Sequence, residues 1–213
     1  MKIAEIVTQV RNIINEMATQ GDSFSQETDE AIKAFVSTAA RQVASLPGYV
    51  ADPKVISEGA TTNFLTRPDG LYFLRLSLPD DCLRPISLNI VGWVTPVYVF
   101  HPVTDRRFLA QYSSAPGIGN GPASPIAFIT ADNGTYILAH AVKERSDYTL
   151  RYMAVPAIAA DGTIGMPDKY TDALAYTTAG LYMQSVDDFT KAKTAFDTAA
   201  ACMQHIPDAP SES

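Results

Sequence analysis

The sequence predicts an α+β protein, an α-helical bundle built from N- and C-terminal segments with an antiparallel β-rich lobe inserted between them. Three observations predict it. Apolar residues recur every three or four positions near both ends. Between about residues 60 and 155 they alternate instead. Charge follows the same division. Residues 1–60 carry 5 basic and 8 acidic groups, residues 61–160 carry 8 and 7, and residues 161–213 carry 3 and 8. The middle draws seven of its eight cations from Arg.

The segments divide as follows. Residues 1–58 form a helical hairpin, 59–160 the β-rich lobe, 161–206 the C-terminal helices packing on that hairpin, and 207–213 a flexible tail. In the first helix Ile3, Ile6, Val7, Val10, Ile13, Ile14 and Met17 make one stripe, ended by Gly21-Asp22. Ser25 or Thr28 caps the second helix, with Glu27, Asp29 and Glu30 in its first turn. Its stripe is Ile32, Phe35, Val36, Ala39, Val43 and Leu46, and Pro47-Gly48 stops it.

The lobe opens with alternation at Phe64, Tyr72, Leu74, Leu76 and Leu78 around the turn Pro68-Asp69-Gly70. Leu78-Pro79-Asp80-Asp81 is a corner. Strands are expected at 86–91 and 94–100, with Pro96 at an edge or bulge. Two further strands, 126–130 and 135–139, flank Ala131-Asp132-Asn133-Gly134, a hairpin signal. The last runs over 148–155, with Tyr148, Leu150 and Tyr152 on one face. Residues 113–125, rich in Pro, Gly and Ser, make a loop of a length that usually marks a functional or partner-ordered segment. Pro167-Asp168 opens the C-terminal helices. A stripe of Tyr170, Leu174, Thr177, Leu181 and Tyr182 breaks at 185–188. It resumes with Phe189, Ala192, Phe196, Ala199, Ala200 and Met203.

Composition excludes several classes. The chain has 213 residues, 46% of them apolar and 18% charged, which excludes wholesale disorder. A net charge of −7 excludes a generally basic nucleic-acid binder. Two distant cysteines, Cys82 and Cys202, make no disulfide framework or zinc knuckle, and a reducing compartment is expected. No signal peptide and no membrane span are expected. Asn133-Gly134-Thr135 fits a glycosylation sequon but reads as a turn.

No catalytic set is expected, and no cofactor or metal. Gly117-Ile118-Gly119-Asn120-Gly121 is followed by Pro122 and Pro125, whereas a phosphate loop must open a helix. His101, His140 and His205 lie in three different segments without ligand spacing, although His101 and Asp105 can meet across a loop. The cysteines and Ser114 and Ser124 lack nucleophile motifs. The one dense basic cluster is Asp105-Arg106-Arg107, with Arg67, Arg75 and Arg84 in the same lobe, and Arg suits bidentate pairing with a partner's carboxylate. Trp93, Tyr98, Phe100, Phe108 and Tyr112 add aromatics, either as core or as contact anchors.

The layout resembles the head-to-tail connector proteins of tailed bacteriophages: adaptor or tail-tubular ring proteins of short-tailed phages, and ring proteins of crAss-like phages. The residues that carry the resemblance are Ala31 to Pro47, the corner Leu78-Pro79-Asp80-Asp81-Cys82-Leu83-Arg84-Pro85-Ile86, Asp105-Arg106, Tyr152, Met166 to Tyr170, and Lys191-Ala192. The resemblance implies a non-enzymatic virion protein, assembled in the host cytoplasm. It implies a homo-oligomeric ring, of about twelve copies in such proteins. It implies a portal protein or neighbouring tail rings as partners, and DNA that passes without sequence-specific binding. Expected contacts are Arg84, Asp105, Arg106, Arg107, Gly117, Gly119, Asn120, Gly121, Ile206 and Pro207. The alternatives are another tail-completion or stopper protein, or a small binding module using the 113–125 loop.

Overall fold

A computed structural model describes residues 1–17, 26–58, 64–66, 72–110, 123–131, 135–142 and 146–204. Among the described residues the elements run in the order α1 (Ile3–Met17), α2 (Gln26–Ser45), β1 (Lys54–Glu58), β2 (Phe64–Thr66), β3 (Tyr72–Ser77), β4 (Cys82–Ile90), β5 (Phe100–Pro102), α3 (Arg106–Ala110), β6 (Ala127–Thr130), β7 (Tyr136–Val142), β8 (Tyr148–Ala154), α4 (Thr171–Ser185) and α5 (Phe189–Gln204). A single 3-10 turn, Asp168–Tyr170, leads into α4. The chain divides into two units, Met1–Ala51 with Val155–Ser213, and Asp52–Ala154. The class is α+β, as the two periodicities require.

In the helical unit, α1 buries Ile6, Val7, Val10, Ile13 and Ile14, the stripe its spacing dictates. On α2, Ile32, Val36, Ala39, Ala40, Val43 and Ala44 are buried. Each such aliphatic side chain larger than Ala contributes about 1.5–3 kcal/mol when fully buried. Arg11 of α1 and Asp29 of α2 form an ion pair, Nε to Oδ1 2.5 Å.

The helix between them all is α4, which packs against α1, α2 and α5. A one-sided stripe was the expectation for it. Instead Ala173, Leu174, Ala175, Thr177, Thr178, Ala179, Gly180 and Met183 are buried around most of its circumference. A helix surrounded on several sides has no solvent face to mark with charge. Its two buried threonines satisfy their hydroxyls internally, Thr177 Oγ1 donating to the Ala173 carbonyl at 2.7 Å and Thr178 Oγ1 to that of Leu174 at 2.8 Å.

Gly180 explains how closely α5 approaches. A Cβ there would lie 2.7 Å from Phe196 Cε1. The absent side chain lets the Phe196 ring rest on the α4 backbone. The buried face of α5 is Ala192, Ala195, Ala199 and Met203, and it lies on α4 rather than on the α1–α2 hairpin. Among the described residues α4 is the C-terminal helix that packs closely on both α1 and α2. Small alanines allow close approach without specifying to what.

The sheet unit starts earlier than its period suggests. β1 pairs antiparallel with β8, Ile56 opposite Leu150, so residues 54–58 belong to this unit. One sheet has the order β1-β8-β4 and the other β2-β3-β7-β6-β5. Pairing is antiparallel except between β5 and β6. Leu74, Leu76, Ile137 and Ala139 of one sheet share a core with Leu88, Ile90, Tyr148, Leu150 and Tyr152 of the other. Bulges bracket Pro85 in β4, where a missing N–H interrupts the ladder.

The expected strand over 94–100 is largely absent. Gly92, at φ +97°, turns the chain after β4. Only Val97 then pairs back, exchanging both hydrogen bonds with Leu88 at 2.8 and 2.9 Å. The proline at 96 and the turn leave regular pairing to begin at Phe100. The hairpin residues Asp132, Asn133 and Gly134 lie outside the described residues, although β6 and β7 pair as neighbours, Thr130 opposite Tyr136.

Candidate interface surfaces

The Asp105-Arg106-Arg107 segment separates into one committed arginine and one open one. β5 ends at Pro102, and a turn delivers Asp105 to the start of α3. The Asp105 carboxylate accepts from the Arg107 backbone N–H at 2.9 Å, from Arg107 Nε at 3.0 Å and from its terminal nitrogen at 2.8 Å. These bonds hold the Asp105 carboxyl well below the usual carboxylate range. The same guanidinium lies 3.1 Å from His101 Nδ1, and the His101–Asp105 approach is 3.8 Å. The anticipated meeting of His101 and Asp105 is therefore organised by Arg107. Phe108 anchors the turn edge-on to Phe128, centroids 5.2 Å apart. Arg106 points into solvent with no partner among the described residues.

Arg84 is exposed on the bulged part of β4. Beside it, Asp81 at the corner accepts from Lys54 Nζ at 2.5 Å and from the Tyr152 hydroxyl at 3.1 Å. It ties the corner to β1 and β8. The Lys54 hydrogen bond leads in lowering the Asp81 carboxyl below its ordinary value. Burial, with Asp81 adding, pushes the Cys82 thiol up to about 11. Cys202 is raised too, chiefly by burial. Both thiols are protonated at neutral pH and neither is an activated nucleophile.

Two surfaces lie outside the expected contact residues, although Tyr98 is among the aromatics read as core or contact anchors. After β4 the chain exposes Val91, Val94, Tyr98 and Val99, at 63%, 72%, 66% and 62% of their full surfaces. Their signal in the sequence is that no Asp, Glu, Lys or Arg occurs from Pro85 to Thr104. In the helical unit, the turn between α4 and α5 exposes Val186 at 55% and Phe189 at 60%. The sequence read that turn only as a helix break. Gly117, Gly119, Asn120 and Gly121, and likewise Ile206 and Pro207, lie outside the described residues.

The helical unit also holds an open cleft of about 290 Å³, lined by Gln9, Asn12, Ile13, Glu16, Asp172 and Tyr176. No group of three or more His, Cys, Asp or Glu among the described residues could hold a metal ion. No described helix is long and apolar enough to cross a membrane. What the surfaces offer is contact: apolar side chains, one open guanidinium, and backbone fixed by turns.

A family model described as SU10 adaptor protein matches residues 1–210. The chain belongs to that family and is a phage structural adaptor protein, a component of the virion. No curated protein sequence matches it.

Proposed function

We propose that this SU10 adaptor protein forms a closed ring of about twelve copies in the connector of a short-tailed phage, joining portal to tail around the DNA passage. The observation that carries this reading is the family match along nearly the whole chain. The division of charge supports it. The helical unit holds 7 basic and 14 acidic residues, and the sheet unit 9 of each. The whole net charge of −7 therefore belongs to the helical unit. A helical wall of that sign repels phosphate, so DNA slides past it without releasing counterions and sticking. The neutral, Arg-rich sheet unit is the part suited to protein contact.

Native mass spectrometry across a concentration series, alone and with a portal protein, tests the reading. A discrete closed oligomer near twelve copies is expected, in free solution or templated by the portal. A monomer under both conditions overturns it and leaves a different tail layer as the role.

A further inference from the structure

We propose that the two exposed apolar surfaces are the two halves of one contact between copies. The Val186–Phe189 turn of one copy seats on the Val91–Val99 strip of the next. The inference rests on the ring reading and names the surfaces that would close it.

A ring built from identical copies joins two different surfaces, head to tail. The described residues supply two such surfaces. Of the ten large hydrophobic side chains that are exposed, four fall between Val91 and Val99 and two between Val186 and Phe189. The remaining four are Val50, Val55, Leu65 and Ile158, which form no comparable run in the chain.

Charge is complementary. From Thr171 to Thr190 the only charged residues are Asp172, Asp187 and Asp188, all acidic. Asp188 is held by Lys191 at 2.9 Å, whereas Asp187, between the two apolar side chains, has no ion-pair partner among the described residues. The strip has no charge of its own. Arg106 is the chain neighbour of Arg107, whose guanidinium lies 3.1 Å from His101 Nδ1, two residues past Val99. One open carboxylate and one open guanidinium are thus placed beside the two apolar surfaces. Depletion of charge within, with a charged pair at the margin, is the usual anatomy of a protein contact.

Both surfaces are preformed, so little ordering is lost on contact. On the strip, Val97 is locked to Leu88 by two backbone bonds, and Trp93 N–H donates to the Ile90 carbonyl at 2.9 Å. At the turn, Asp187 sits in the left-handed region at φ +63°. Its N–H donates to Gln184, and that of Asp188 donates to Met183 at 3.0 Å, closing α4. The Asp188 carboxylate accepts from Lys191 N–H at 3.1 Å, capping α5. Phe189 is therefore the first residue of a capped helix with its ring in solvent.

Disulfide trapping in the full chain tests the contact even where it is transient. Val94→Cys and Phe189→Cys are made in separate chains, mixed under a mild oxidant, and the linked species identified by intact mass. The mixed dimer is expected at least about tenfold faster than from the control mixture of Val55→Cys with Phe189→Cys, since apposition raises effective concentration. Arg106→Glu in the Val94→Cys chain slows the trap, and Asp187→Arg in the other chain restores it. A rate equal to the control overturns the proposal. So does trapping of Val94→Cys or Phe189→Cys with itself at the same rate, which would make the contact symmetric. If native mass spectrometry shows the ring while no mixed disulfide forms, the seat is wrong and the ring reading stands. If no mixed disulfide forms and the protein stays monomeric both alone and with the portal protein, both fail.

Discussion

Helix α4 and the strip Val91–Val99 are both short, charge-poor and apolar, and they meet opposite fates. α4 is buried around most of its circumference by helices of its own unit. The strip keeps four large side chains in solvent. Burial on one side of this comparison is explained inside the chain. On the other the apolar side chains stay in solvent within the chain, and the contact proposed above would cover them. The difference teaches where a substitution should be read: in unfolding for the first region, in assembly for the second.

The largest expected effect tests the α4 side. Gly180→Val places carbon atoms where Phe196 already lies, since even a Cβ would come within 2.7 Å of its ring. Overpacking of this kind costs about 1–3 kcal/mol, and Val brings little helix propensity in return. Urea unfolding should show a loss near 3 kcal/mol, partly recovered by adding Phe196→Ala. A neutral Gly180→Val would mean that α5 does not press on α4.

Next is the foot of the same helix. Tyr170 is fully buried, its hydroxyl accepting from Val50 N–H at 2.6 Å and lying 3.2 Å from the Val50 carbonyl. Its ring lies 4.6 Å from that of Tyr49, whose own hydroxyl burial pushes up to about 12. Tyr170→Phe keeps the ring and strands the amide, at a cost of about 1–2 kcal/mol. Chemical denaturation reads it, and an unchanged midpoint would show that solvent satisfies Val50 instead.

The strip side is sharpened by Val94→Asp with Tyr98→Ser. Both positions are exposed, so folding stability should move by no more than about 0.5 kcal/mol. Assembly on the ring pathway should weaken by about tenfold or more, as for removal of central contact residues. Sedimentation and thermal unfolding on one sample separate the two. A fall in stability with assembly intact would place the strip with α4, as core.

How much of this was legible in the sequence follows from the same contrast. α1 came out as Ile3–Met17, because a helix buried on one side writes its period in the chain. The 185–188 break, the β6–β7 pairing and the inward face of β8 were equally readable. β1 was missed because Lys54–Glu58 alternates too briefly and is set by its partner β8, not by its own pattern. α3 was missed because five residues carry no period, and its fold depends on the Asp105–Arg107 bonds. Two of the residues that carried the family resemblance are staples. Asp81 binds the corner, and Tyr170 binds the backbone ahead of β1. Of the expected contact residues, Arg107 is spent within its own turn and Arg106 is open. No sequence rule separates two adjacent arginines when a side-chain hydrogen bond decides between them.

The smallest effect concerns such a staple. Asp81 is a carboxylate whose folded pKa is lowered, first by the Lys54 hydrogen bond. Its side chain keeps 39% of its exposure and that of Lys54 54%, so screening limits the contribution to about 0.5 kcal/mol. The sign follows from proton binding. Between the lowered folded pKa and the ordinary value near 3.9, the unfolded chain binds the proton first. The stabilisation is complete above about pH 5 and is lost as pH falls through the folded value. Asp81→Asn removes it at every pH. The gap in urea midpoint between parent and variant should therefore be present at pH 7 and narrow on acidification toward pH 2. An equal gap at both pH values would mean that Asp81 acts through the Tyr152 hydrogen bond and packing, with no contribution from its charge.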